Sequence, residues 1–282
     1  WDEVIELSYA PDLVESALQA LASRAAHWTL VSSVSVYAHN DEVGADESAG
    51  LVDPSDPVQY ADAKVIAEKM TAALIGDRLL IARPGLIVGP GDPSDRFSYW
   101  PTRLEAGGFV LTPVLAGRFV QVIDVSDLAR WIVRAGRDKL VRAVNAVGKV
   151  HSMAGFLGVA RMITGFDDLA DVDDEDEFNE NFIEEIDDDT LLAHGVNYWA
   201  GPRSLPLWLP LSEVGFATRD GSAFLASGGT LRQLGETIER VLDDTNRTPL
   251  GGARRAGLTP RDEAEILQAI AHEQIASWRP AE

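Results

Sequence analysis

The run Trp28-Thr-Leu-Val-Ser-Ser-Val-Ser-Val-Tyr37 constrains the fold of this chain more than any other stretch. It is β-branched and mostly apolar with no polar alternation, the composition of a strand covered on both faces inside a parallel sheet. Parallel strands need crossover connections, and the flanking segments supply them. Residues 3 to 9 read as a strand, and Pro11 stands where a first helical turn tolerates proline. Leu13, Ala17, Leu18 and Leu21 then form a helical stripe. From Tyr60 to Leu74 small and apolar residues recur at helical spacing, and Arg78 to Val88 is a further strand that ends in Gly89-Pro90-Gly91-Asp92-Pro93. Alternating strands and helices predict an α/β layered fold.

Downstream, the stretch 39 to 59 reads as a loop carrying Pro54 and Pro57, and 94 to 117 as loop-rich. Phe119 to Ile123 and Ala143 to Val147 read as strands around a helix over Ser126 to Arg137. Ser152 is a candidate N-cap for a helix through Ile163. Thr259, Pro260 and Asp262 have the pattern of a capped helix start, with the helix running to Ala276. A domain boundary is expected near residue 150, dividing 1–150 from a smaller lobe over 151–282.

Composition excludes several classes of function. A net charge of −21 opposes a polyanion, so nucleic acid is not the expected partner. With no cysteine there is no disulfide, thiolate nucleophile or thiolate metal site. No run approaches the roughly 20 apolar residues of a membrane span, and no leader is evident, so a soluble, cytoplasmic protein is expected. The run 167–189 holds 14 acidic residues but fails as a calcium loop. Counted from Asp171, Asp176 stands where the sharp turn needs glycine and Phe182 where a bidentate glutamate belongs. It reads as a solvated insertion. The five histidines lack metal-ligand spacing, and no metal is expected.

Tyr60 and Lys64, four apart, share one face of the predicted helix. A phenol titrates near pH 10, and an adjacent ammonium favours its phenolate, which brings a tyrosine into range for proton transfer. The chain has four lysines in all (Lys64, Lys69, Lys139, Lys149), so one at this spacing carries weight. Three segments occur in order: Val31-Ser-Ser-Val-Ser-Val-Tyr37, Tyr60-Ala-Asp-Ala-Lys64 and Arg83-Pro-Gly-Leu-Ile-Val-Gly-Pro90. With Val122-Ile-Asp-Val-Ser-Asp-Leu-Ala129 they resemble the extended short-chain dehydrogenase/reductases, the family of nucleotide-sugar epimerases and dehydratases, across residues 1 to 150.

The resemblance implies a Rossmann-like, doubly wound parallel sheet and hydride chemistry on NAD or NADP. By it, Ser33 hydrogen-bonds the substrate oxygen, Tyr60 passes the proton, and Lys64 lowers the Tyr60 pKa and holds the nicotinamide ribose. Leu7, Ser8, Pro84, Gly85, Leu86 and Val88 line the nicotinamide side. It also implies a homodimer packed through the helices at 11–22 and at Tyr60. Tyr37 is read as structural, Asp124 and Asp127 as a loop brace and helix cap, and Arg118, Arg96, Tyr99 and Trp100 as loop packing before substrate contacts.

The chain departs from the family in two ways. It holds no Gly-x-Gly-x-x-Gly or Gly-x-x-Gly-x-x-Gly; residues 3 to 9 match the family's fourth strand, so the first three strands and their phosphate loop are expected upstream of Trp1. Weak dinucleotide binding follows as an expectation. Val34 and Ser35 stand where the family's 4,6-dehydratases carry acids, and Leu86 where nucleotide-sugar enzymes commonly carry asparagine. The expected activity is therefore that of an epimerase-like reductase on a small or sugar-like carbonyl or alcohol. The group it resembles, to which Arg96-Phe-Ser-Tyr-Trp100 and Leu205-Pro-Leu-Trp-Leu-Pro210 also point, includes RNA-binding relatives, so the alternative is a non-catalytic nucleotide-sensing or RNA-associated protein.

Overall fold

The apolar run that opens the sequence argument becomes a strand with every residue buried, Trp28–Val31. The computed structural model describes residues 1–166, 181–247 and 254–277. In chain order the elements are β1 (Val4–Glu6), α1 (Pro11–Leu21), β2 (Trp28–Val31), α2 (Tyr60–Ile75), β3 (Leu79–Pro84), β4 (Leu86–Val88), α3 (Tyr99–Glu105), β5 (Phe109–Pro113), β6 (Phe119–Asp124) and α4 (Val125–Arg137). They continue as β7 (Arg142–Ala146), β8 (Val150–Ser152), α5 (Met153–Thr164), β9 (Phe182–Ile186), α6 (Asp188–Ala193), β10 (Asn197–Trp199), β11 (Ser204–Pro206), α7 (Ser222–Ala226), α8 (Leu234–Arg247) and α9 (Pro260–Ser277).

The chain forms two compact units. One is built from Trp1–Gly89, Phe119–His151 and Leu211–Gln233, the other from Pro90–Arg118, Ser152–Pro210 and Leu234–Glu282. One crossing, at His151–Ser152, lies beside the boundary expected near 150; the chain makes further crossings after Gly89, Arg118, Pro210 and Gln233.

The first unit holds a four-stranded sheet in the order β1-β2-β3-β7, parallel throughout. Trp28, Leu30, Leu80, Ala82, Val144 and Ala146 are each fully enclosed. One face packs Leu30, Trp28 and Leu79 on Val14 and Leu18 of α1 and Ala67 of α2. The other packs Leu80, Ala82 and Val144 on Leu128, Trp131 and Ile132 of α4. Helices on both faces explain why β2 lacks polar alternation; each large side chain so buried contributes about 2 kcal/mol. A second sheet runs β4-β6-β8.

The second unit pairs β5 with β9, and β10 with β11, both parallel. Trp100 and Phe156 are fully buried, and the Trp100 indole N–H donates to the Pro206 carbonyl at 2.6 Å. Ser152 caps α5 by accepting from Gly155 N at 3.0 Å, and Thr259 Oγ1 accepts from Asp262 N at 3.0 Å at the start of α9. No helix among the described residues is long and apolar enough to cross a membrane.

Several local expectations are corrected. The strand expected over 28–37 stops at Val31: Ser33 Oγ accepts from Ser35 N at 3.1 Å and turns Val34–Val36 into a 3-10 turn. The strand expected over 78–88 is two strands in different sheets, split at Gly85, where a Cβ would come 3.3 Å from Val147 Cγ1. The loop-rich reading of 94–117 gives way to α3 and β5, because Tyr99, Trp100, Leu104, Val110 and Leu111 are all buried. Of the expected acidic insertion, 167–180 lies outside the described residues; Phe182–Ile186 is a strand, and Asp187 caps α6 through Thr190 N at 2.9 Å.

A buried ion pair ties α2 to β3. Arg83 donates from Nε and Nη2 to the two Glu68 carboxylate oxygens at 3.0 and 2.7 Å, and the two side chains are 6% and 4% exposed. Removing one member of such a pair strands the other charge, which costs about 3–5 kcal/mol, while replacing both apolarly is far milder. Glu68→Ala is therefore expected to lower stability by about that amount in chemical denaturation, and the double variant Glu68→Leu/Arg83→Met to recover most of it.

Candidate active site

Because β1, β2, β3 and β7 are parallel, the residues that follow them lie along one sheet edge. That edge is where open α/β sheets bind ligands. Leu7 and Ser8 follow β1, Ser32 and Ser33 follow β2, Gly85 follows β3, and Val147 and Gly148 follow β7. Leu86 and Val88 lie further on, in β4, where they are 8% and 1% exposed.

Tyr60 is the first residue of α2 and Lys64 lies one turn on. The approach to this helix is fixed by Asp62, which accepts from Ser55 N at 2.7 Å and Asp56 N at 2.8 Å and so clamps the preceding loop to the first turn. Those N–H groups, Asp56 first, hold its carboxyl below the usual carboxylate range. Tyr60 is 46% exposed, whereas Lys64 is 4% exposed.

Lys64 Nζ donates to the Val31 carbonyl, the last of β2, at 2.7 Å. Two further N–H donors remain on the ammonium. It lies 5.3 Å from the centroid of the Tyr9 ring and 5.8 Å from that of Tyr60, and these two rings meet edge to face at 5.2 Å. Burial pulls the Lys64 pKa down to about 8, against the opposing pull of Glu6 and Glu68. Ser33 Oγ is 3.1 Å from Ser35 Oγ, to which it donates, in addition to accepting from Ser35 N.

The structure thus gathers Leu7, Ser8, Ser33, Tyr60, Lys64, Pro84 and Gly85 in the unit that carries this sheet edge. Two participants escaped sequence reasoning. Tyr9 completes the aromatic cover of Lys64, and Glu6 accepts from Ser8 N at 2.9 Å while acting on the Lys64 charge. A Glu and a Tyr at a strand end carry no motif.

Other candidates are structural. Tyr37 is 2% exposed, donates to Asn145 Oδ1 at 2.5 Å and accepts from Arg83 Nη1 at 3.1 Å; burial raises its pKa despite Arg83. Asp124 caps α4 through Ser126 N at 2.8 Å. Asp127 accepts from Arg232 N at 2.9 Å and Nη2 at 2.8 Å; burial raises its pKa, but these bonds outweigh it and the net shift is downward. Arg118 is held by Asp188 and by the Val114 and Leu209 carbonyls. Arg96 stacks on Trp199 at 5.1 Å, and Tyr99 and Trp100 are core residues. Among the described residues no cluster of three or more His, Asp and Glu could hold a metal.

No family model matches the chain. No curated protein matches it by sequence. Its fold does match solved structures. An epimerase candidate from Burkholderia cenocepacia J2315 aligns at TM-score 0.62 and 18% identity over 88% of this chain and 76% of that one. RMD from Pseudomonas aeruginosa, solved with NADPH, aligns at 0.57 and 16% over 86% and 81%. UDP-glucuronic acid 4-epimerase from Bacillus cereus, solved with NAD, aligns at 0.56 and 15% over 87% and 68%.

The folded Lys64 pKa lies below its unfolded value, so between about pH 8 and 10.5 the unfolded chain binds more protons and this residue's contribution to stability rises with pH. Below that window its burial is a standing cost. Lys64→Met is expected to gain stability relative to the parent chain at pH 7, with the advantage shrinking by a few kcal/mol towards pH 10.5. Denaturant melts of both proteins across that range check it, and a constant difference would sink it. The chain carries a Rossmann-like α/β fold, the architecture it shares with these epimerase and reductase structures.

Proposed function

We propose that the protein is an NAD(P)-dependent oxidoreductase or epimerase-like reductase that acts on a small or sugar-like carbonyl or alcohol. The observation that carries this reading is a buried lysine tethered to a strand-end carbonyl, one helical turn from a solvent-open tyrosine, in a fold whose solved examples hold NADPH or NAD. The residues present fit the nicotinamide end of such a cofactor. Lys64 keeps donors for a ribose after bonding Val31, and the sheet edge at Leu7, Ser8, Pro84 and Gly85 offers a lining, with Leu86 and Val88 behind it. The pyrophosphate end has no Gly-x-Gly-x-x-Gly in these 282 residues, so binding by this chain is weak. When bound, the nicotinamide supplies or accepts the hydride.

The chain's own residues handle the proton. In the reducing direction Ser33 Oγ leaves Ser35 and donates to the substrate carbonyl oxygen, which orients and polarises it. Tyr60 gives its phenolic proton to that oxygen as the carbon becomes tetrahedral, and the Lys64 ammonium stabilises the phenolate left behind. A buried ammonium does this more strongly than an exposed one, since the surrounding dielectric is low. Oxidation of an alcohol runs the same transfers backwards. A homodimer through α1 and α2 belongs to the same reading; Leu13 on α1 and Leu74 on α2 are 61% and 58% exposed.

The test is turnover at millimolar NADH or NADPH with a panel of small and sugar-like carbonyl compounds. Tyr60→Phe is expected to lower the rate by about 100-fold or more with little change in fold or cofactor affinity. Unchanged turnover in that variant would refute the assignment.

A further inference from the structure

The Tyr60–Lys64 pair has a third neighbour to which the chemistry above gives no task. Tyr9 stands between β1 and α1, and its place there is fixed from both sides. On the β1 side Glu6 accepts from Ser8 N at 2.9 Å, which turns the chain at the strand end. On the α1 side the Ala10 carbonyl takes the first N–H groups of the helix, Leu13 N at 3.0 Å and Val14 N at 3.1 Å. Pro11 restricts the residue before it to extended backbone, and Ala10 has φ −67° and ψ 119°. Val14, fully buried, ties α1 to the sheet. The Tyr9 ring so placed lies 5.3 Å from Lys64 Nζ and meets the Tyr60 ring at 5.2 Å with an interplanar angle of 72°.

Lys64 is 4% exposed, although a lysine near a helix end ordinarily carries its charged head out to water. The groups around its ammonium form two layers. Val31, whose carbonyl takes the 2.7 Å bond, and Glu68 are buried at 8% and 3%. Tyr9 and Tyr60 are 47% and 46% exposed, and so form the outer cover. Tyr60 is the residue assigned to proton transfer, which leaves Tyr9 as the cover with no other duty. Glu6 at the end of β1 and Glu68 one turn on in α2 act on Lys64 through their charge, and Glu68 is itself held by Arg83 of β3. The other three lysines of the chain, Lys69, Lys139 and Lys149, are all exposed.

A ring beside an ammonium excludes water. That weakens the charged form, yet it strengthens the field the charge exerts on a neighbour, because the local dielectric falls. The π face also attracts the cation, which offsets part of the desolvation. Both effects bear on the interaction by which Lys64 stabilises a Tyr60 phenolate.

We propose that Tyr9 is a positioning residue of this site, whose ring shields the Lys64 ammonium from water so that its charge acts on Tyr60 at low dielectric. The proposal rests on the proton-transfer reading of Tyr60 and Lys64, and adds to it the group that keeps the pair dry. The contacts are made by the ring, so the Tyr9 hydroxyl is dispensable and phenylalanine serves equally.

The test reads Lys64 directly and needs neither cofactor nor substrate. The chain has four lysines, so lysine labelled with 13C at Cε gives four signals, and the one missing from Lys64→Met belongs to Lys64. Each signal is followed against pH in the parent chain, in Tyr9→Phe and in Tyr9→Ala. In the parent the Lys64 midpoint is expected at about 8, where burial holds it. In Tyr9→Ala it is expected to climb by about one pH unit towards 10.5, since opening the cover rehydrates the ammonium. Tyr9→Phe is expected to keep the parent value, and the three exposed lysines, as controls, to titrate alike in all three proteins.

Tyr9 is half exposed, so its truncation is expected to leave the circular dichroism spectrum unchanged. Where Tyr9→Ala fails to fold, Tyr9→Gln, which keeps a side chain of some length but no ring, decides. A Lys64 midpoint that stays or falls in the variant without a ring, or that rises as far in Tyr9→Phe, overturns the proposal. Such a result removes Tyr9 from the site and leaves the proton-transfer reading standing, whereas unchanged turnover in Tyr60→Phe removes that reading whatever Lys64 does.

Discussion

A polar network centred on the buried Arg83 ties together the unit that carries the candidate active site. Arg83 reaches Glu68 of α2 with two donors and the Tyr37 hydroxyl with a third, and the Tyr37 O–H donates to Asn145 Oδ1 of β7, whose backbone N donates to Glu47 at 2.6 Å. The links from Glu68 through Arg83 and Tyr37 to Asn145 are buried, so each of those bonds acts at low dielectric and each loss would leave a buried group unpaired; the Glu47 link is part-buried. The network sets the rotation of α2, and Glu68 lies one turn beyond Lys64 on that helix. It also fixes the Tyr37 ring, on whose surface both Arg83 and Arg219 rest at 5.1 and 4.4 Å. Lys64 of the candidate active site and the buried Arg219 are thus both positioned by one network.

The two buried cations Lys64 and Arg219 differ in their surroundings. Burial pulls the Lys64 pKa down to about 8, and Lys64 lies beside a tyrosine that is open to solvent. Arg219 keeps its charge under any ordinary condition, with its guanidinium plane held over the Tyr37 ring and bonded to the His39 carbonyl and Asn40 Oδ1.

Much of the architecture was legible because it rests on local rules. The unbroken apolar run at β2 announced burial on both faces, Ser152 and Thr259 announced helix starts, and the Tyr60–Lys64 spacing announced a shared helix face. Where the reading failed, a distant contact overrode local composition. What reads as a continuous strand divides at Gly85 between two sheets, at a position where Val147, far along the chain, would stand 3.3 Å from an added Cβ. The stretch 94–117 reads as loop because its polar and turn residues hide a short helix and a strand whose apolar side chains are buried by their tertiary neighbours.

The sequence by itself determined the fold class and the pairing of Tyr60 with Lys64, since periodicity and helical spacing are properties of a few consecutive residues. Only the tertiary structure decided how the charges behave. That Lys64 is tethered to Val31 and covered by Tyr9, that Arg83 is paired with Glu68, and that Asp127 answers Arg232 are facts about burial and partners separated by up to 105 residues. Desolvation and pairing, which set the chemistry of an ionisable group, come into being only when the chain is folded.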